Sequence, residues 1–174
     1  VYAAQDSGAT VHCAGVNMSV TQPAADGTVT VSSEVLDHYE EGTWTAVFSD
    51  AGSSGNPLTM SSGKATGSYV RVGSLVTVCG YFSTDSIASA TGAIYIQGLP
   101  FSNTNYYRSQ AGVVIGDAAG LDITVTESAT GYISANNAYI SLRIWNVADG
   151  SAGMTAAEWS DNGSMTISCT YVTF

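Results

Sequence analysis

A chain of 174 residues, 45% of them apolar and with a mean hydropathy of +0.15, has the length of one domain or one domain with an extension, and enough apolar material for a sizeable core. Four Lys and Arg against 14 Asp and Glu give a net charge of −10. Nothing here neutralises a run of phosphates, so binding of DNA or RNA is excluded and docking on an anionic membrane is disfavoured. No apolar run reaches the roughly 18–20 residues of a bilayer span, so membrane insertion is not expected. No signal peptide is evident, and the chain opens on Val1 rather than Met, as a fragment or a processed product does.

Val and Ile total 26 against 6 Leu, with 19 Gly, a balance that favours strands and tight turns over helices. Charged residues are only 10% of the chain, against about 25% in ordinary soluble domains. Solubility then rests on Ser, Thr, Asn and Gly, the habit of an extracellular or virion surface protein. Residues 1–32 are small and weakly patterned, broken by Pro23 and Gly27, with Val29 and Val31 alternating with threonines. They read as an N-terminal extension or neck, packed on its copies or on the domain that follows at 33–174.

Within that domain, 33–40 (SEVLDHYE) is expected to form a helical turn or two, starting from a serine cap and stopped by Gly42. In 43–49 the alternation puts Trp44, Ala46 and Phe48 on one face, and Thr43, Thr45 and Val47 on the other. A polar loop at 49–62 leads to 74–82 (SLVTVCGYF), apolar on both faces and therefore read as a strand covered on both sides. Gly80 interrupts it where a backbone or aromatic ring approaches. Ile94 and Ile96 share a face in 93–97, and Pro100, just past Gly98, marks a strand end or edge.

Further runs lie at 112–115, at 121–126 (Leu121, Ile123 and Val125 against polar neighbours) and at 131–134. In 138–147, Ile140, Leu142 and Ile144 oppose Tyr139, Arg143 and Trp145. Residues 149–153 read as polar loop, 155–159 as a single helical turn capped by Thr155, and Asp161-Asn162-Gly163 as a turn before a last strand over 164–174. About ten strands at this spacing predict an all-β antiparallel sandwich, jelly-roll-like, with little helix.

Catalytic patterns are absent. There is no GxSxG elbow, no GxxxxGK[ST] or GxGxxG phosphate cradle and no DxDxDG calcium loop. His12 and His38 sit in unrelated settings with no partner to make either a general base. Glycoside cleavage needs two carboxylates across one bond, and adjacent Glu40 and Glu41 point in different directions; Glu127 and Glu158 are the remaining candidates. Cys13, Cys79 and Cys169 form no close pair, which argues against a disulfide framework or a zinc site and for small buried hydrophobes. No cofactor or metal is implied.

What stands out is the aromatic supply: ten Tyr and three Trp in a chain poor in charge. Exposed aromatic planes beside amides and carboxylates suit sugars, and Trp145, opposite Ile140 and Ile144, is one candidate. The alternative for each ring is the core or a subunit interface.

Four segments carry a resemblance: LDHYEEGTW at 36–44, GSYVRVGSLVTVCGYF at 67–82, GAIYIQGLPF at 92–101 and GSMTISCTYVTF at 163–174. Their order and spacing resemble the C-terminal domain of bacteriophage tail fibres and related virion receptor-binding proteins. There an "LDxYEEGTWTP" segment, a "GxYxxxGxxVxxxG" hairpin and a "GLPF" strand end follow one another. The match covers roughly 33–174. It departs at His38, where an acidic residue is more usual, and at Ala46, in place of proline.

The resemblance implies a homotrimer on a virion tail or surface appendage, with other virion tail or fibre proteins and a host surface glycan or protein as partners, and no catalytic residues. The competing functions are a head fibre or decoration protein without a direct receptor role, and a tailspike that depolymerises glycan. Receptor contact is expected in polar loops at one end of the sandwich. Tyr106, Tyr107 and Arg108 in 102–110, and Trp159 in 149–162, are the aromatic and charged residues placed there.

Overall fold

The computed structural model describes residues 16–17, 35–36, 38–52, 54–105, 110–146 and 150–174. A small antiparallel pair, β1 (Val16–Asn17) with β2 (Val35–Leu36), stands apart from the main sheet. The main sheet has eleven strands: β3 (Tyr39–Thr45), β4 (Val47–Ser49), β5 (Thr59–Met60), β6 (Thr66–Val72), β7 (Leu75–Ser86), β8 (Tyr95–Gln97), β9 (Ala111–Ala119), β10 (Ser128–Ile133), β11 (Tyr139–Asn146), β12 (Gly150–Gly153) and β13 (Ser164–Val172). One short helix, α1 (Ala156–Trp159), precedes β13.

All the strand pairings of the main sheet are antiparallel, so the all-β expectation holds. The strands follow one path, β3-β6-β7-β13-β9-β10-β11-β8-β4, with β5 added beside β7 and β12 beside β11. Only Ala46 separates β3 from β4, yet these strands lie at opposite ends of the path. The sheet must therefore curl until its ends approach, leaving it nearly closed around one core.

The inward face follows from period-two alternation. Trp44, Ala46 and Phe48 are buried, as are Ile94, Ile96, Ile140, Leu142 and Ile144, while Thr43, Thr45 and Val47 face outward. An aromatic run ties the sheet ends together: Trp44 to Phe82 at 5.3 Å between ring centroids, Phe82 to Phe48 at 5.9 Å, and Phe48 to Trp159 at 4.8 Å. Gly67 and Gly80 leave the room these rings use. A Cβ on Gly67 would sit 2.5 Å from Trp44 Nε1, and one on Gly80 would sit 2.4 Å from Phe82 Cζ.

Four local expectations change. The helical turn at 33–40 is replaced by β2 and by the first residues of β3, with His38 at a φ of 52° between them. A helix of one or two turns gains too few hydrogen bonds to offset its nucleation cost, whereas Tyr39–Thr45 pairs residue for residue with β6. Gly42 accordingly lies within a strand. The run at 74–82 is buried on one face only: Val76, Val78 and Phe82 point inward, whereas Leu75, Cys79 and Tyr81 are exposed. Cys79 is thus not a core residue, although Cys169 is, and burial pushes its thiol up to about 11. Cys13 lies outside the described residues.

The run at 121–126 is not a strand. Its backbone bonds go elsewhere: Asp122 N–H donates to Glu158 O at 2.8 Å, and Glu127 N–H to Thr124 O at 2.8 Å. Residues 150–153, read as loop, form β12 by pairing with the end of β11. The single turn at 155–159 is present, closed by a capping box between Thr155 and Glu158.

Asp50 organises the loops beside β4 and β8. Its carboxylate accepts from Thr91 N–H at 3.0 Å, from Asn56 Nδ2 at 3.2 Å and from Asn56 N–H at 2.6 Å. These bonds, the one from Thr91 foremost, hold its carboxyl below the usual carboxylate range. Stability from this group is therefore fully present above the unfolded value of about 3.9 and is lost as pH falls through the lower folded value. Asp50→Asn should remove that part of the acid loss, read as a shallower fall of the urea midpoint between pH 5 and pH 2 (roughly the window of a lowered carboxylate).

Candidate functional site

The register of β10, β11 and β12 sets one outward patch. Ser128 faces Trp145 and Thr130 faces Arg143 across β10–β11, while Arg143 faces Gly153 and Trp145 faces Ser151 across β11–β12. Because Ile140, Leu142 and Ile144 take the inner face, Arg143 and Trp145 must take the outer one. Thr130, Gly131, Tyr132, Arg143, Trp145 and Ser151 line a hollow of about 260 Å³. Trp145 is 58% exposed, a large apolar ring that the fold leaves in water.

Arg143 is fixed within this hollow. Its Nη2 donates to Ser151 O, and Nε lies 3.4 Å from Ser151 Oγ. Its guanidinium carbon lies 5.9 Å from the centroid of the Tyr132 ring, within reach of a cation–π contact. Among the described residues its hydrogen bonds go to Ser151 and to no carboxylate. At the end of β11, Asn146 Nδ2 donates to Glu127 Oε1 at 3.2 Å, anchoring the strand to the 121–127 loop.

Of the four residues expected to touch a receptor, Trp159 alone is among the described residues. Tyr106, Tyr107 and Arg108 lie outside the described residues. The described residues just before them, 100–105, line a second cleft of about 450 Å³ with Asn136, Thr173 and Phe174. Trp159 is no surface platform: it is fully buried against Phe48, and its indole N–H donates to Thr84 Oγ1 at 2.8 Å. Its short helix is docked into the core, so the ring that follows the Thr155 cap turns inward.

The candidate carboxylates are engaged structurally. Glu158 accepts from Thr155 N–H at 2.6 Å and Thr155 Oγ1 at 2.8 Å, and Glu127 accepts from Thr124 N–H at 3.2 Å as well as from Asn146. Glu40 and Glu41 accept from the hydroxyls of Tyr69 and Tyr39, and these bonds raise both phenols. Among the described residues no group of three or more His, Cys, Asp or Glu comes together as metal donors. A third cleft, of about 490 Å³ between β9 and the 121–127 loop, is lined mainly by small and aliphatic residues.

No protein-family model matches the chain, and no curated protein sequence matches it. Among solved structures, the Dettilon tailspike protein is similar, with a TM-score of 0.65 at 18% identity over 77% of this chain and 24% of that one. The chain spans about a quarter of that protein's length, and what the two share is the fold.

The two tryptophans should separate stability from binding. Trp159→Ala is expected to cost about 3–5 kcal/mol, whereas Trp145→Ala should leave the thermal midpoint within about a degree of the parent, as surface changes do. Differential scanning calorimetry of both variants checks this.

Proposed function

We propose that this chain is the receptor-binding domain of a bacteriophage tail appendage, a homotrimer that attaches the virion to a host surface glycan without cleaving it. The observation that carries this reading is the exposed Trp145 ring, set beside Tyr132, Arg143 and Ser151 on an otherwise hydroxyl-rich surface. An aromatic plane stacks on the C–H face of a pyranose, and the adjacent hydroxyl and guanidinium donors meet its oxygens. The LDHYEEGTW to GLPF succession and the tailspike-like fold both support an appendage of the phage tail.

Assembly is supported by a second outward feature. Tyr39, Val72 and Leu75 stand side by side on β3, β6 and β7, with Val70 next to them, and all four are exposed. A second copy of the chain covering this column would bury apolar surface, and the one carboxylate on it, Glu41 opposite Val70, already accepts from the Tyr39 hydroxyl. The intact chain should sediment as a trimer at micromolar concentration; a monomer there would count against the assembly.

Trp145→Ala, in protein whose sedimentation matches the parent, should weaken host-cell binding by at least about tenfold, as loss of a central aromatic anchor does. Unchanged binding would sink the site. Glu127→Gln and Glu158→Gln should leave binding intact, and the parent should release no oligosaccharide from host envelopes. Release that either variant abolishes would establish an enzyme instead.

A further inference from the structure

We infer that the Trp145 hollow selects a sugar bearing a single carboxylate, with Arg143 as the residue that reads it; this rests on the glycan-binding reading above. Arg143 is one of only four Lys and Arg in a chain of net charge −10. With 14 acidic residues available, a half-buried guanidinium ordinarily finds a carboxylate. Here its partners among the described residues are the neutral Ser151 carbonyl and hydroxyl and the Tyr132 ring. A partly desolvated cation without a counter-charge is costly to maintain, and its cost is recovered when an anion arrives.

The geometry leaves the right donors over. A guanidinium carries five N–H groups. Those of Nε and Nη2 turn toward Ser151, which holds the plane of the fork, while Nη1 makes no hydrogen bond among the described residues. Nη1 and the outer N–H of Nη2 form the edge that grips a carboxylate by two parallel bonds. Arg143 and Trp145 are two residues apart on the same face of β11, about 7 Å along the strand. A pyranose stacked on the indole would bring its own exocyclic carboxylate to that edge.

Charge also limits the class of glycan. A dense polyanion meets a molecule of net charge −10 and is repelled over roughly a Debye length, about 8 Å at physiological salt. One cation in a hollow cannot offset that for a polymer charged at every residue. It can for one acidic residue, at a branch or chain end, in a glycan otherwise neutral. The ligand class is therefore a sparsely carboxylated oligosaccharide, a hexuronate or a sialate, rather than a polyuronate or a sulfated polymer.

The test uses the full chain with three probes, oligosaccharides carrying one glucuronate, one galacturonate or one sialate, each beside its methyl ester, which is neutral and otherwise identical. Oligogalacturonate and a phosphorylated disaccharide complete the set. Isothermal titration should show at least one mono-acidic probe bound tenfold or more tightly than its ester, with oligogalacturonate weaker still. Arg143→Gln should bring acid and ester to equal affinity, and Arg143→Lys, which keeps the charge and loses the fork, should restore only part of the ratio.

Equal binding of every acid and its ester by the parent overturns the inference, and that result does not depend on any variant folding. If Trp145→Ala abolishes that equal binding, the glycan site survives and only its acid selectivity fails. If no mono-acidic probe binds, or the phosphorylated disaccharide binds best, the carboxylate assignment fails. If Trp145→Ala also leaves host-cell binding unchanged, the glycan reading falls with it.

Discussion

The fold depends on two sheet ends meeting through aromatic side chains. Trp44 at the end of β3 and Phe48 in β4 belong to strands at opposite ends of a nine-strand path, and Phe82 from β7 touches both rings. Trp159 completes the cluster from the other side of Phe48 and ties it to Thr84 by a buried hydrogen bond. Closing the sheet in this way places nearly all large aliphatic side chains of β8, β11 and β13 inside. The outer face is left to small hydroxyl residues, a few rings and a few aliphatic side chains such as Val70, Val72, Leu75 and Val114. Room for the cluster comes from glycines rather than from bulges: Gly67 and Gly80 lie under Trp44 and Phe82, and Gly163 lies under Trp159.

That division explains why the outer surface can specialise. Once the inner face is filled, a change on the outer face of β10, β11 or β12 costs little stability, because such residues contribute few core contacts. Rings such as Trp145 can then stand in water without cost to the core. On β3, β6 and β7 the same freedom leaves Tyr39, Val70, Val72 and Leu75 in water, an arrangement suited to subunit contact. Two outward surfaces of different chemistry, one rich in apolar side chains, one aromatic with a cation, thus sit on one curled sheet.

Much of this was legible in the sequence, for identifiable reasons. Strict alternation in 43–49 and 138–147 fixed which side chains enter the core, because one face of each strand is buried and a slip of one residue would expose it. The exposure of Trp145 follows from the same alternation. Residues 74–82 misled because Leu75, Cys79 and Tyr81 look like core residues by type, yet they occupy the outward face. Trp159 misled in the opposite direction: its helical turn was expected, but the polar segment around it suggested an exposed ring, whereas the turn is docked with its indole buried and bonded to Thr84. The helical turn expected at 33–40 gave way because pairing with β6 satisfies more backbone than so short a helix can. Arg143 as a site residue was hidden. Its significance depends on Tyr132 and Ser151, which only the registers of β10 and β12 bring beside it.

The most direct measurement is a crystal structure of the full chain soaked with a mono-carboxylated oligosaccharide chosen by titration. The expected density is a pyranose ring lying on the Trp145 indole, with its carboxylate against Arg143 Nη1 and Tyr132 at the side. A sugar seated instead in the cleft formed by residues 100–105, Asn136 and Phe174, with the Trp145 ring bare, would contradict it.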